Sequence, residues 1–286
     1  MGWRLTESVE EFLAAAGDFL ASRPVENTVL VTVCDTLRVR GATAFGDGFP
    51  LFGWWQSGGG HVEGAFLHTP PHGLLMTAIP PRAVEPLVAS WPRSRSLLGV
   101  NADERTATLF ASSWRRRTAA SAQVHRREHL YRLGRLAPPS PAPAGRSRVA
   151  ETADRELLAA WMAAFWAETG DVAGNAAGRV DDRLEYGGLS LWDVDGVPVA
   201  MAGGTRPLGG TIRVGPVYTP ARFRRRGYAA AVTAAVSRAA LDAGVATILL
   251  FTDLANPASN GIYRRLGFVA VEDRVALRFA PSATLG

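Results

Sequence analysis

Three consecutive arginines, Arg224, Arg225 and Arg226, run into Gly227 and then into an alanine-rich stretch that extends to Val236. A strand that passes through a glycine turn straight into a helix leaves backbone N–H groups unpaired at the helix start, where the helix dipole also favours negative charge. Such a turn is an anion site. The arginines add charge around it, while Gly227 and Ala229 keep the backbone open to a bulky ligand. Dipole effects supply only about 0.3–2 kcal/mol, so several amides and at least one guanidinium must act together to hold a pyrophosphate. The sequence contains no lysine, which excludes lysine Schiff-base chemistry and a phosphate-loop lysine. It also lacks a G-x-G-x-x-G, so nucleoside triphosphate and dinucleotide binding have no motif behind them.

The elements around this turn can be read from periodicity. The proline-rich segment Ala137 to Ser147 reads as a stiff linker, dividing the 286 residues into residues 1–136 and 148–286. Each part opens on an amphipathic helix. Val9, Phe12, Leu13, Ala16, Phe19 and Leu20 share one face, with Ser8 and Glu11 spaced as a capping box, and Leu157, Leu158, Trp161, Met162, Phe165 and Trp166 form a second stripe. Each helix is followed by a glycine-turned hairpin, in which Trp55, Gly59 and Val62 recur at the offsets of Trp192, Gly196 and Val199. Two copies of one fold account for this. The alternative is that any two helix-then-hairpin units look alike at this level. In the second part, "TIRVGPVYT" reads as a strand with a bulge at Gly215-Pro216. It leads into the arginine turn, a helix from about Gly227 to Ala243 stopped by Gly244, a buried strand "VATILLFT", a short helix stopped by Gly267, and closing strands from Phe268 to Phe279.

With these elements in order, "RRRGYA" fits the R-x-x-G-x-A pyrophosphate loop of the GNAT superfamily of acetyltransferases, and "NPASNGIYRRLGF" resembles the segment that follows it there. The resemblance covers Val149 to Phe279. It implies an α/β (α+β) fold, with each domain a mixed, mostly antiparallel twisted sheet flanked by helices, and acetyl-CoA as acyl donor. By the same resemblance, Val217, Tyr218 and Thr219 lie on the bulged strand whose backbone pairs with the pantetheine arm. Arg224, Arg225, Arg226, Gly227, Tyr228 and Ala229 correspond to the pyrophosphate cradle, Asn256 to the asparagine near the thioester, and Tyr263 to the general acid that protonates the leaving thiolate. Each position has a plainer reading: a solvated arginine, a turn-forming asparagine before Pro257, or a tyrosine of the core with its hydroxyl outward. The bulged strand carries no carboxylate, a departure from members of the family that use a glutamate there. Asp253 and Glu185 are the alternative bases, although Asp253 also suits a turn cap and Glu185 a solvated surface.

Residues 1–136 have no glycine-led helix after "GLLMTAIP", and read as a degenerate copy that binds no CoA. The histidines, His61, His68, His72, His125 and His129, all lie in this part or its final helix, where His125 and His129 take helical spacing. No accompanying pattern makes a metal site of them. Cys34 lies among apolar residues and reads as a buried thiol; a lone cysteine forms no internal disulfide. No apolar run reaches the roughly 18 residues that a membrane span needs, so the expected compartment is the cytoplasm. The acceptor expected is an amine-bearing small molecule or peptide, and oligomers are compatible with the sequence. Two rival readings stand beside acetyl transfer: a CoA-binding scaffold without catalysis, and a nucleic-acid-binding module suggested by "WRRRT", "HRRE" and the net charge of +5.

Overall fold

The computed structural model of the protein describes residues 1–171 and 174–280. The described residues divide into two compact units: 1–130 with 253–255 and 272–280, and 131–171 and 174–252 with 256–271.

Unit 1 runs β1 (Gly2–Thr6), α1 (Val9–Ala21), α2 (Thr28–Arg40), β2 (Leu51–Gln56), β3 (Val62–His68), β4 (Leu74–Met76), α3 (Val84–Ser90), β5 (Gly99–Asp103) and α4 (Glu104–Thr118), and enters β6 (Ser121–Leu133). Ser8 caps α1 by accepting the Glu11 amide, but the expected capping box is only half formed, because the Ser8 amide donates to Thr6 Oγ1 and not to the Glu11 carboxylate. Val9, Phe12, Ala16 and Leu20 are buried from the expected stripe, against Phe52, Trp54, Ala65 and Leu67 of the sheet. Cys34 is buried on α2, and burial pushes its thiol up to about 12. His125 and His129 lie in β6, not in a helix. The left-handed Ala119 ends α4, and beyond it the chain is extended at about 3.3 Å per residue, which puts positions i and i+4 roughly 13 Å apart, too far to share a metal ion. His129 Nδ1 instead lies 2.5 Å from Asp273 Oδ1.

Unit 2 repeats the order: β7 (Arg146–Val149), α5 (Arg155–Thr169), α6 (Ala176–Leu184), β8 (Leu189–Val194), β9 (Val197–Gly204), β10 (Thr211–Tyr218), α7 (Tyr228–Asp242), β11 (Thr247–Asp253), α8 (Pro257–Arg265) and β12 (Phe268–Ala280). Residues 268–280 therefore form one long strand where shorter closing strands were expected. Pairing follows the same plan in both units. The pairs β1–β2, β2–β3 and β3–β4, like β7–β8, β8–β9 and β9–β10, are antiparallel, whereas β4 with β5 and β10 with β11 are parallel and are joined through α3 and α7, as parallel strands require a crossover. Both hairpins shift register just after the matched tryptophan, between Trp55 and Gln56 in one and between Trp192 and Asp193 in the other. Two copies of one α/β fold, each a mixed and mostly antiparallel sheet with helices, make up the chain.

The copies differ at their centres. Trp3, Trp55, Phe66 and Trp91 pack ring to ring in unit 1, and the turn into α3 runs through Pro80 and Pro81 with no glycine. In unit 2 the turn into α7 holds Gly227 at φ 84°. The unit 1 strand β5 is bordered by the far end of β12, with Arg274 opposite Asp103 and Arg278 opposite Gly99.

Candidate active site

The bulge expected in "TIRVGPVYT" is present. β10 pairs with β9 through Val214 opposite Gly204, then resumes at Val217 opposite Ala202, with Gly215 at φ 150° in between. On its other side β10 ladders with β11 only from Thr211 to Arg213. Past Arg213 the two parallel strands part, and the backbone of Val217 and Tyr218 is held by β9 alone. Val217 packs both with the cluster containing Tyr263 and with the cluster containing Tyr228, so one side chain joins the bulge to α7 and α8.

At the mouth of this opening the arginine turn builds a nest of amides. Arg225 takes a left-handed φ of 64° and Gly227 one of 84°, conformations that turn successive N–H groups toward a common point. Among the described residues, the amides from Arg225 to Ala230 have no hydrogen-bond acceptor; the first amide of this helix to be satisfied is that of Ala231, which donates to Gly227. A non-glycine residue in the left-handed region costs about 1–2 kcal/mol, so Arg225 is held there against its preference. The side chains of Arg225 and Arg226 are exposed and make no ion pair among the described residues. Tyr228 is buried at 8% exposure in the core, which leaves only its amide to face a ligand. Ala229 is partly buried and offers no side chain beyond a methyl. Pro143 lies 3.7 Å from where a Cβ of Gly227 would stand, so the proline-rich segment runs alongside this turn.

Arg224 behaves differently from its neighbours. Its guanidinium grips both carboxylate oxygens of Glu168 at 2.7 and 2.6 Å, and its Nε donates to the Thr219 carbonyl at 2.8 Å. Tyr218 donates its hydroxyl to the same carboxylate at 3.3 Å, and its pKa is raised, first by burial and then by Glu168. Glu168 escaped the sequence reading, because an exposed glutamate in the last turn of α5 reads as an ordinary solvated charge. The Thr219 hydroxyl oxygen is buried without a hydrogen-bond partner.

Tyr263 is 9% exposed on α8, edge-on to Phe268 at 6.1 Å. Its hydroxyl has no partner among the described residues, and burial pushes its pKa up to about 12. Asn256 caps α8, accepting the Ser259 amide at 3.0 Å, while Asn260 is buried and accepts from Tyr131. Asp253 accepts the Ala255 amide within its own turn. Glu185 pairs with Arg206 at the surface.

Residues 149–268 match the model of the Acetyltransferase (GNAT) family. They form a GNAT domain. Solved structures share the fold over nearly all of the chain. The GNAT-family acetyltransferase from Colwellia psychrerythraea is 14% identical with a TM-score of 0.60, covering 98% of this chain and 99% of that one. The GCN5-related N-acetyltransferase from Sphaerobacter thermophilus is 15% identical with a TM-score of 0.61, covering 96% and 95%. A GCN5-related N-acetyltransferase from Kribbella flavida is 24% identical, with a TM-score of 0.53 over 75% of this chain and 86% of that one. At these identities the likeness speaks for the fold. No curated protein matches the chain. Among the described residues of the GNAT domain and the rest of the chain, no helix is long and apolar enough to cross a membrane.

Proposed function

We propose that the GNAT domain transfers acetyl from acetyl-CoA to a primary amine of a small molecule or peptide. The observation that carries this reading is the run of unsatisfied amides from Arg225 to Ala230 at the start of α7, flanked by two exposed arginines. Amide nests at helix starts bind phosphate oxygens, and the residues fit a diphosphate. Arg225 and Arg226 add guanidinium charge from outside, and Gly227 leaves the approach free of a Cβ. The parted strands β10 and β11 leave the backbone of Val217 to Thr219 for a polar, extended arm. Arg224 serves this reading through Glu168 and the Thr219 carbonyl, holding the turn against the bulged strand.

Direct transfer needs a neutral amine, a polarised carbonyl and a proton for the departing sulfur. A lysine-like amine is protonated at pH 7, and freeing its base costs roughly 4 kcal/mol. The side chain suited to the last task is Tyr263, whose raised pKa keeps it protonated at neutral pH. A backbone N–H of the bulged strand, where Pro216 has none to give, supplies the oxyanion contact. With Asp253 and Glu185 engaged in a turn and an ion pair, deprotonation of the amine is assigned to water. The scaffold reading keeps the nest and drops the chemistry. Unit 1, with a proline turn in place of a nest, is read as the copy that binds no CoA.

The test is calorimetry with acetyl-CoA followed by thiol release on a panel of amines. Micromolar binding with turnover supports transfer. Binding without turnover on any amine supports the scaffold, and DNA binding without CoA binding supports the nucleic-acid module.

A further inference from the structure

Arg183, near the end of α6, reaches the bulge. Its Nη1 donates to the Gly215 carbonyl at 2.8 Å and to the Gly204 carbonyl at 3.4 Å, the two carbonyls that flank the break in the β9–β10 ladder. The approach depends on Gly203, because a Cβ there would collide with that same nitrogen. Arg183 is partly buried and has no carboxylate partner among the described residues. Two other partly buried arginines of unit 2 are each held by carboxylates: Arg148 by Asp154 and Asp193, and Arg155 by Asp181. A guanidinium carries five N–H donors in a planar fork, and only Nη1 of Arg183 is used. Its Nε and Nη2 donors are left beside the bulge. A cation drawn out of water without a counter-ion is costly, and the fork geometry matches a carboxylate.

We infer that Arg183 selects the acceptor, which is a primary amine carrying a carboxylate within a few bonds of its nitrogen, as in an α-amino acid. The inference rests on the acetyl-transfer reading above, in which the reacting carbonyl lies at the bulge and the amine must approach it there. A carboxylate two bonds from that nitrogen then comes within reach of the unused donors of Arg183. The reaction itself is unchanged: the amine nitrogen forms the new bond to the acetyl carbon, the thioester C–S bond breaks, the sulfur leaves with a proton, and the amine gives up one.

The experiment measures acetyl-CoA binding by calorimetry, then kcat/KM for matched acceptors: an amino acid, its C-terminal amide and its decarboxylated amine. The wild-type protein is expected to favour the free acid over both by about 100-fold, within the range that a charged contact gives. Arg183→Met is expected to erase that preference, read as the ratio of kcat/KM for the free acid to that for the decarboxylated amine. Arg183→Lys keeps the charge without the fork and is expected to retain part of the preference. Equal rates of wild-type protein on acid, amide and amine, or turnover confined to acceptors without a carboxylate, would overturn the inference while leaving acetyl transfer intact. Absence of acetyl-CoA binding would overturn the transfer reading and this inference with it. The wild-type comparison decides the matter even if Arg183→Met fails to fold.

Discussion

Three buried side chains make predictions at the scale of single residues. Tyr263 keeps its proton well past neutrality, since burial holds its pKa near about 12. The rate is therefore expected to show no loss of this acid between pH 7 and pH 10, and Tyr263→Phe is expected to lower kcat about 100-fold with acetyl-CoA affinity unchanged by calorimetry. A drop in affinity without a drop in kcat would make Tyr263 a packing residue only. His68 in unit 1 is 2% exposed, and burial, helped by Arg95, lowers its pKa to about 4 from 6.5. Between those values the unfolded chain binds the proton that the folded one refuses, so the stability due to neutral His68 is complete above about pH 6.5 and drains as pH falls toward 4. The loss is at most roughly 3 kcal/mol; urea midpoints should fall across that window, and His68→Gln should flatten the slope. Cys34 is expected to stay silent toward a thiol reagent in the native protein and to react on unfolding. Of these residues, Cys34 was legible by its apolar neighbours, while the motif marks Tyr263 for a role that the Tyr263→Phe kinetics decide. His68 looked like any other histidine, because its Trp91 neighbour, 5.4 Å away, comes from a distant element.

At the scale of elements, the local signals read well where chain chemistry leaves little choice. Gly215-Pro216 interrupts a ladder because glycine bends and proline cannot donate, and the break falls there. The Gly227 helix start and the two hairpins follow the same logic. The failures lie where a partner far along the chain decides: β6 was read as helical from the His125–His129 spacing, and the Arg224–Glu168 clamp joins positions 56 residues apart. Arg183 was equally silent, since nothing in "DDRLEY" announces a bulge carbonyl on another strand. The turn itself can be tested by Gly227→Asp. Aspartate tolerates the left-handed region and caps a helix well, so the fold is expected to survive, with a thermal midpoint within a few degrees of wild type. Its carboxylate would sit on the amides that a diphosphate needs, and the acetyl-CoA Kd should rise at least about 100-fold. An unchanged Kd would place the cofactor elsewhere.

At the scale of the whole molecule, chain order and spatial unit do not coincide. Residues 272–280 border β5 in unit 1, and Arg274, 4% exposed, donates to the Met76 and Asn101 carbonyls and to Glu272. Arg274→Met strands those acceptors, and the cost is expected to be about 3 kcal/mol, read as faster hydrogen exchange in β5. No repeat pattern in the sequence exposes this arrangement, because residues 268–279 look like the ordinary close of the second copy. A ribosome that has made residues 1–130 still has roughly 140 to add before the strand beside β5 exists, about ten seconds or more of synthesis. Through that interval the first-made unit carries a bare sheet edge, the kind of surface that recruits stray strands. Nascent chains stalled before residue 272 should therefore depend on chaperones far more than chains stalled after residue 280.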